Sequence, residues 1–453
     1  MSDTIAAIAT GSEVSAIGIV RLSGDEAIKL ADAVFRPHSG KDMSDYPDRT
    51  LVFGDLIDAD GAVLDICLCT ISRAPRSYTG ENTAEFQCHG SPAVLRATLD
   101  ALFALGARQA LPGEFTKRAF LNGCMGLSQA EAVADIIDAE SAQSAKNAAG
   151  QLGGAIQKKA DEVYDRLTDM CSHYHAVLDY PDEDIEDFQL AEYSALFHSS
   201  INSLSRLLDT FSRGKLMRDG IPAAIVGMPN AGKSSLMNAL LGYDRAIVTN
   251  IPGTTRDTIE EKIRLGALTL RLVDTAGIRE TRDEIEKMGV ERSRAALKSA
   301  ELAIAVVDGS RPLTAEDEEI LSLCGEVPKK VIVLSKKDLG QEENIPLPAG
   351  IPAVAVSSVT GEGLKSLEKV IAELFPMPAA PAGEILTNAR QAEAISRALE
   401  SLRAAQAALD SGLMPDAVLT EAEEAMAAIG ELSGRSIRQD VTNRIFARFC
   451  VGK

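Results

Sequence analysis

The 453-residue chain contains no tryptophan, and aromatic residues make up only 4% of it. Its cores must then be filled mainly by aliphatic side chains, and an alanine- and leucine-rich chain of this kind leans toward helix. Positive charge is also short, with 46 Lys and Arg against 66 Asp and Glu, a formal net charge of −20. A surface of that sign repels a phosphate backbone, which excludes a protein that coats nucleic acid non-specifically and confines any RNA contact to a local patch or a partner. The seven cysteines are odd in number, scattered and without a C-x-x-C pair, so neither a disulfide framework nor a zinc site is signalled, and a reducing, cytoplasmic setting is expected. No run of 18 apolar residues occurs, and the opening MSDTIAAIAT lacks a basic segment ahead of a long apolar core. Neither targeting nor membrane insertion is expected.

Hydrophobic residues at 45% and charged residues at 25% are ordinary for a globular protein. At about 150 residues per domain the chain has room for two to four domains with their own cores. Residues 1–116 mix β-like runs, AIGIVRLSG and DICLCTIS among them, with helical stretches at Asp25–Phe35 and Pro92–Leu105, and are expected to form an α+β domain. Residues 117–215 read as long helices, with Ile201, Leu204, Leu207, Leu208 and Phe211 spaced to share one buried face. The acidic run PDEDIED at 181–187 reads as a solvated connection. A proline-rich stretch from Pro376 to Gly383 stops any helix, and Ile395, Leu399, Leu402 and Leu409 resume the helical period beyond it. Helical material thus brackets residues 216–378, and 117–215 with 379–453 are expected to pack as one discontinuous all-α domain around an inserted unit.

The chemistry is concentrated in 216–378. The apolar run Ala223–Val226 leads into GMPNAGKSS, Gly227–Ser235, and then into the helix-like LMNALLG. Strand, glycine loop and helix in that order are what the G-x-x-x-x-G-K-[ST] pattern of an α/β P-loop GTPase requires. Gly227 and Gly232 let the loop wrap phosphates, so Asn230, Ala231, Gly232, Lys233, Ser234 and Ser235 form the phosphate-binding set, with backbone N–H groups and a helix N-terminus facing the anion. Lys233 is placed to reach the β- and γ-phosphates, and the Ser234 hydroxyl to ligate Mg²⁺. Downstream, Leu268–Val273 delivers DTAG (Asp274, Thr275, Ala276 and Gly277), a carboxylate for Mg²⁺ through water and an N–H for the γ-phosphate. GTTRD at 253–257 lies between the two motifs, and Thr255 is the candidate for the threonine that closes on Mg²⁺ as a first switch.

A third apolar run, Lys330–Leu334, ends in Ser335-Lys336-Lys337-Asp338. A carboxylate here accepts both guanine N1–H and N2–H₂, a pair adenine cannot offer, which selects GTP over ATP. The common pattern is N-K-x-D, and Ser335 replaces the Asn that ties this loop to the base and the phosphate loop, an exchange that bears on affinity more than on base identity. Ser357, Ser358 and Val359 fall where GTPases carry their last base-contacting loop. After DTAG stands Ile278, which cannot orient an attacking water, so that role must come from elsewhere; in the acidic stretch that follows, Asp283, Glu284 and Glu286 are near enough in sequence to swing in. Asn230 precedes Ala231-Gly232-Lys233 where its side-chain oxygen can face the β–γ bridge. The loop Thr249, Asn250, Ile251, Pro252, Gly253 and Thr254 can add backbone carbonyls from Thr249, Ile251 and Thr254, an oxygen-only set suited to a hard cation.

These motifs, together with IGIVRLSG (17–24), SYTGENTAEFQCHG (77–90), PGEFTKRAFLNG (112–123), LSQAEAVADIIDAES (127–141) and the terminal FCVGK, resemble the MnmE (TrmE) family over essentially the whole length. The resemblance implies a homodimer built through an N-terminal folate-binding-like domain that holds a tetrahydrofolate C1 derivative, 5-formyl or methylene, and a helical domain that hosts the GTPase domain. It implies a flavoprotein partner similar to MnmG (GidA), which carries the FAD, and a tRNA substrate whose wobble uridine (U34) gains a 5-carboxymethylaminomethyl or aminomethyl group. The cation cage resembles the family's K⁺ site, and GTP hydrolysis is expected to be K⁺-stimulated and coupled to G-domain dimerisation. By position, Glu286 matches the family's catalytic switch glutamate, Cys450 its terminal C-[IV]-G-K cysteine, and Arg21 and Glu85 its folate contacts. Cys124 stands where the family has a folate-contacting Lys, and Lys453 closes the folate set. Arg435, Arg438, Arg444, Arg448 and Lys453 surround Cys450 with positive charge that favours a thiolate and a local tRNA contact. A GTP-controlled assembly switch is the competing reading; it has no need of a folate-like N-domain or of the CVGK tail.

Overall fold

A computed structural model describes residues 3–452 apart from 12, 180–189, 244–260, 273–295, 343–344, 377–379, 413–414 and 435–451. The chain divides into two compact units, Met1–Ala134 with Gln151–Phe197 and Glu400–Lys453, and Asp135–Gly150 with His198–Leu399.

The first unit holds a seven-stranded sheet in the order β3-β4-β5-β6-β2-β1-β7. Its strands are β1 (Ile5–Ile8), β2 (Ser15–Ser23), β3 (Phe35–Pro37), β4 (Val52–Ile57), β5 (Val63–Ser72), β6 (Thr83–Gly90) and β7 (Arg108–Gln109). Period-two alternation sends Val20, Leu22, Cys67, Cys69, Ile71, Ala84, Phe86 and Cys88 to one side, where they pack under helices α1 (Ala27–Val34) and α2 (Pro92–Ala104). Gly18 is required beneath α2, because a Cβ there would lie 2.8 Å or less from the Leu95 methyls. The opposite side carries Arg21, Thr70 and Glu85 and leaves Ile17, Phe53 and Ile66 58%, 54% and 48% exposed. Helix α3 (Glu114–Leu121) covers the β1 end of that side, where Phe115 packs with Ile5, Ala7 and Ala110. The rest of the unit is helical: the long helix Ala155–Asp179 packs along Pro415–Ser433, with Cys171 Sγ 3.7 Å from Met426 Sδ. Gly434 fits against Phe120 and Leu127, and Gly452 is so close to β1 that a Cβ would collide with the Ile8 carbonyl oxygen.

The second unit holds a six-stranded sheet ordered β13-β12-β11-β8-β10-β9. These are β8 (Ile221–Val226), β9 (Glu261–Leu265), β10 (Leu268–Leu272), β11 (Leu302–Asp308), β12 (Lys329–Ser335) and β13 (Ala353–Ala355), all parallel except β9. The central strands β8, β11 and β12 are buried on both sides, so they read as continuous apolar runs, whereas β10 buries only Leu268, Leu270 and Leu272. Segments from far apart in the chain meet beside this sheet. Asn147, buried, donates to the Ile385 carbonyl at 2.9 Å and accepts the Gly383 N–H at 2.8 Å. Asp135 accepts from Thr387 Oγ1 and pairs with Arg218 Nε, each at 3.0 Å. Leu204 and Leu207 are buried as the helical period requires. The helix does not run on to Phe211, however: Leu190–Leu208 ends, and Thr210 turns the chain, donating to Leu207 O and accepting the Leu386 N–H before a new helix, Phe211–Asp219. The acidic run at 181–187 lies outside the described residues.

Candidate functional sites

Strands β8, β11 and β12 end together, at Val226, Asp308 and Ser335, and the loops at their carboxyl ends build the first site. The loop after β8 passes so close to β11 that a Cβ at Gly227 would collide with the Val306 carbonyl oxygen. Asn230 takes the left-handed conformation, φ 64°, which Asn tolerates better than most residues, and Gly232 follows at φ 97°. Helix α4 (Lys233–Tyr243) starts immediately after, so its first N–H groups point into the loop, with Ser234 and Ser235 exposed on its first turn. The Lys233 ammonium folds back to donate to the Gly227 and Met228 carbonyls at 2.8 and 2.9 Å, and burial holds it below the ordinary lysine range. A half-buried ammonium ringed by backbone groups, beside a helix N-terminus, is a cradle for a phosphate chain. The residues present therefore fit a nucleotide with Mg²⁺: Lys233 would hold the phosphates and Ser234 the cation.

The residues expected to read the base lie in the loops after β12 and β13. Asp338 is exposed, and its Oδ1 accepts from the buried Ser357 hydroxyl at 2.6 Å, which in turn accepts the Thr360 N–H at 3.2 Å. One carboxylate oxygen is thereby fixed while the group stays open to a purine edge. Ser358 is half-buried and Val359 exposed beside it. The 2%-exposed Ser335 hydroxyl donates to Ala231 O at 2.6 Å, with Val307 O at 3.1 Å. The tie between the base loop and the phosphate loop therefore survives the loss of Asn; a serine is too short only for the further reach to the base. Lys336, at φ 57°, pairs its ammonium with Asp308 at 2.6 Å. Burial alone would raise Asp308, but Lys336 and the donors of Ser310 outweigh it and hold its carboxyl below the usual range. Asp308 and its strand β11 are absent from the sequence reading; the signal was there as LAIAVVD followed by the turn Gly309-Ser310. Thr249, Asn250, Ile251, Pro252, Gly253, Thr254, Thr255, Asp274, Thr275, Ala276, Gly277 and Glu286 lie outside the described residues, as do Cys450 and Lys453.

In the first unit, antiparallel register brings Thr70, Glu85, Arg21 and Ala7 into one row across β5, β6, β2 and β1. Arg21 Nε pairs with Glu85 at 2.6 Å, and its guanidinium lies 5.7 Å from the Tyr78 ring and 5.8 Å from the Phe115 ring. Tyr78 is fixed by a 2.9 Å hydrogen bond to Thr116, and Asn122 holds the Tyr78 loop by donating to Thr79 O at 2.7 Å. Cys124 is exposed and abuts the same loop, where a Cβ at Gly80 would lie 2.9 Å from its sulfur. The two aromatic rings were not singled out in the sequence, although Tyr78 and Phe115 both lie in the family-like segments at 77–90 and 112–123.

Two family models match: the GTP-binding protein TrmE N-terminus over residues 4–124 and the MnmE helical domain over residues 127–450. The chain is 41% identical over its whole length to a tRNA modification GTPase MnmE of Symbiobacterium thermophilum, covering 99% of that protein. It is 42% identical to that of Carboxydothermus hydrogenoformans, with both chains covered completely. The chain belongs to the MnmE family. Among solved structures, the G domain of the T. maritima FeoB iron transporter is 28% identical over 33% of this chain and 96% of that one, at a TM-score of 0.24. As an MnmE-family chain it is a GTPase.

Proposed function

We propose that this chain is a GTP hydrolase of tRNA modification that acts as a homodimer with an FAD-carrying partner of the MnmG (GidA) kind. The pair forms the 5-carboxymethylaminomethyl or aminomethyl group on U34 of certain tRNAs in the cytoplasm. The observation that carries the reading is the joint presence of the β8 phosphate cradle and the Arg21–Glu85 row in one chain related over its full length to MnmE proteins. Among the described residues no helix is long and apolar enough to cross a membrane.

The proposed domains are 1–116, a dimerisation and folate-binding-like domain; 117–215 and 379–453, one helical domain; and 216–378, the inserted GTPase. Thr210, which accepts the Leu386 N–H, and Asn147, which binds Gly383 and Ile385, join segments on either side of residues 216–378 and support the insertion. The exposed apolar row Ile17, Phe53 and Ile66 supports a second copy docking on that side of the sheet. Arg21, Glu85 and the Tyr78 and Phe115 rings suit a flat, partly polar ligand such as a C1-carrying tetrahydrofolate, whose one-carbon unit would go to uridine C5. Gly452, seated on β1, supports a tail whose Cys450 and Lys453 serve that site. In hydrolysis Lys233 binds the phosphate chain, Asp338 selects guanine, Glu286 orients water, and Ser234 and Thr255 hold Mg²⁺.

The left-handed Asn230 places a carboxamide at the phosphate loop's exposed crest, which supports a K⁺ cage completed by Thr249, Ile251 and Thr254. Steady-state rates in KCl and NaCl test this. Wild type should be stimulated only by K⁺ and Asn230→Ala by neither; equal rates in both salts remove the cation. For the whole reading, mass spectrometry of U34 from a deletion strain should show an unmodified C5. An unchanged nucleoside profile overturns it.

A further inference from the structure

We propose that Asp65, Cys67 and Cys88 bind a thiophilic divalent cation of the zinc type, clamping β5 to β6 on the helix-covered side of the N-terminal sheet. Alternation sends Cys67 and Cys69 inward from β5 and Cys88 inward from β6. The register Cys69↔Phe86, Leu68↔Gln87, carried one step further, sets Cys67 opposite Cys88. The two sulfurs and an Asp65 carboxylate oxygen all lie within 4.8 Å of one another. Zinc with metal–sulfur bonds near 2.3 Å and tetrahedral angles places its ligands about 3.5–3.8 Å apart, so the three groups need close in by only about 1 Å or less.

The chemistry of the donors agrees. Cys67 and Cys88 are 5% and 1% exposed, and Asp65 is half-buried at the edge from which an ion or water would enter. A carboxylate has about four acceptor sites. Asp65 uses Oδ1 for the Ile66 N–H and the His89 ring, each at 2.8 Å, and Oδ2 for the His89 N–H at 2.8 Å. These bonds fix its orientation and leave one site on Oδ2. His89, exposed, stands behind the carboxylate as the outer partner that steadies a ligating group. A dication at the centre favours thiolate over thiol. On binding, M²⁺ displaces one proton from each thiol, two protons leave to solvent, and the site of two thiolates, one carboxylate and one dication keeps a charge of −1. No electron is transferred. Three protein ligands and a water on the Asp65 side complete four-coordination.

The site lies on the opposite side of the sheet from Arg21, Thr70 and Glu85, so its role is to hold the strands that carry that row. The test uses the full-length protein, reduced, stripped with a chelator and titrated with Cd²⁺ as a spectroscopic probe, then with Zn²⁺. The expected result is a thiolate-to-Cd²⁺ ultraviolet band saturating at one ion per chain, the same stoichiometry by native mass spectrometry, and a Tm that rises with Zn²⁺ concentration. Cys67→Ala and Cys88→Ala should each abolish the band, and Asp65→Asn should weaken binding about tenfold or more, whereas Cys124→Ala and Cys450→Ala should bind as wild type. Should an alanine variant fail to fold, wild-type protection decides: Zn²⁺ must shield Cys67 and Cys88 from alkylation, read peptide by peptide, and leave Cys124 reactive. Absence of the band in wild type, its survival in a folded Cys67→Ala/Cys88→Ala double variant, or alkylation of both thiols at the same rate with and without Zn²⁺ overturns the site.

Discussion

The nucleotide site and the Arg21–Glu85 site are built in different ways. The first is made largely of backbone: a loop of nine consecutive residues, Gly227–Ser235, leaves one strand, and side chains are needed only where charge or a purine edge must be met. The second is made of side chains 64 residues apart in sequence, Arg21 and Glu85, brought together by strand register and covered by rings from a loop and a helix. A site made by consecutive backbone tolerates little variation in spacing and so announces itself. A site made by register is spread over distant segments, and its geometry appears only when the sheet is assembled.

The largest expected effect that sharpens this contrast is on stability. Arg118, with its side chain 10% exposed, donates to Asp3 O at 2.8 Å, Asp3 Oδ1 at 2.7 Å, Glu81 at 2.9 Å and Glu114 at 3.0 Å. Glu81 also accepts from Ser23 at 2.8 Å, so this one guanidinium ties the chain start, the Tyr78 loop and α3 beneath the Arg21 row. Arg118→Met removes the guanidinium from three carboxylates, of which Asp3 and Glu114 keep Arg108, and should cost about 3 kcal/mol in the N-terminal unit. Hydrogen-exchange mass spectrometry should show lost protection in residues 3–24 and 77–90, with 221–243 unchanged; equal loss in both would mean the two sites share one foundation. Acid should act in the same direction. Hydrogen bonding to Arg108 lowers Asp3, and for Glu114 the donors Arg108, Leu111 N–H and Arg118 outweigh a burial that alone would raise it. Carboxyls lowered by folding contribute stability above their unfolded values, near pH 4, and lose it as pH falls through their folded values below that. The wild-type unit should therefore open on acidification below about pH 4, and Arg118→Met should show a weaker pH dependence there.

The division between backbone-made and register-made geometry also explains what could be read in advance. β8 and β12 were visible as apolar runs because both of their sides are buried, β10 because its leucines alternate, and the phosphate loop because its spacing is rigid. β2 and β5 were visible because one of their faces alternates with the other. The break at Thr210 was not, since Leu207, Leu208 and Phe211 keep the helical spacing while the hydrogen bond that turns the chain comes from Leu386. Nor was the closeness of Cys67 and Cys88, whose separation in sequence matches no metal motif and becomes meaningful only through the β5–β6 register. Asn147 carried no signal either: a buried Asn in an Ala-rich helix looks ordinary until Gly383 and Ile385 return to it.

The second prediction bears on the backbone-made site. Asp338 is one of the few places where that site depends on a side chain, and Ser357 fixes one of its oxygens. Asp338→Asn exchanges two acceptors for one acceptor and one donor. The loss of charged hydrogen bonds, about 2–3 kcal/mol, corresponds to roughly 100-fold weaker GTP binding. Xanthosine triphosphate, whose 2-oxo group accepts where guanine donates, should become the preferred ligand. Binding titrations with both nucleotides check this, and unaltered GTP affinity would show that Ser335–Asp338 does not read the base.

The smallest expected effect tests whether the register-made site tolerates change as the contrast requires. Cys124 sits in the turn after α3, exposed, with its sulfur against the Tyr78 loop. The family resemblance implies a lysine at this position, and a thiol offers neither its charge nor its reach. An ammonium on a four-carbon stem starting from this turn would extend past Gly80 toward the Arg21 and Glu85 row, where a tetrahydrofolate would present its carbonyls and carboxylates. Because the position is exposed, water screens the gain, and about 1 kcal/mol, or roughly fivefold tighter binding, is the reasonable magnitude. Calorimetric titration with 5-formyl-tetrahydrofolate should give that improvement for Cys124→Lys, with Cys124→Ser binding as wild type because hydroxyl and thiol are equally short and uncharged. Raising the ionic strength should erase the lysine variant's advantage, since an exposed charge pair is screened within about 8 Å in physiological salt. A lysine variant that binds no better at low salt would place the ligand's charged part away from this turn, leaving Arg21 and the two rings to account for binding alone.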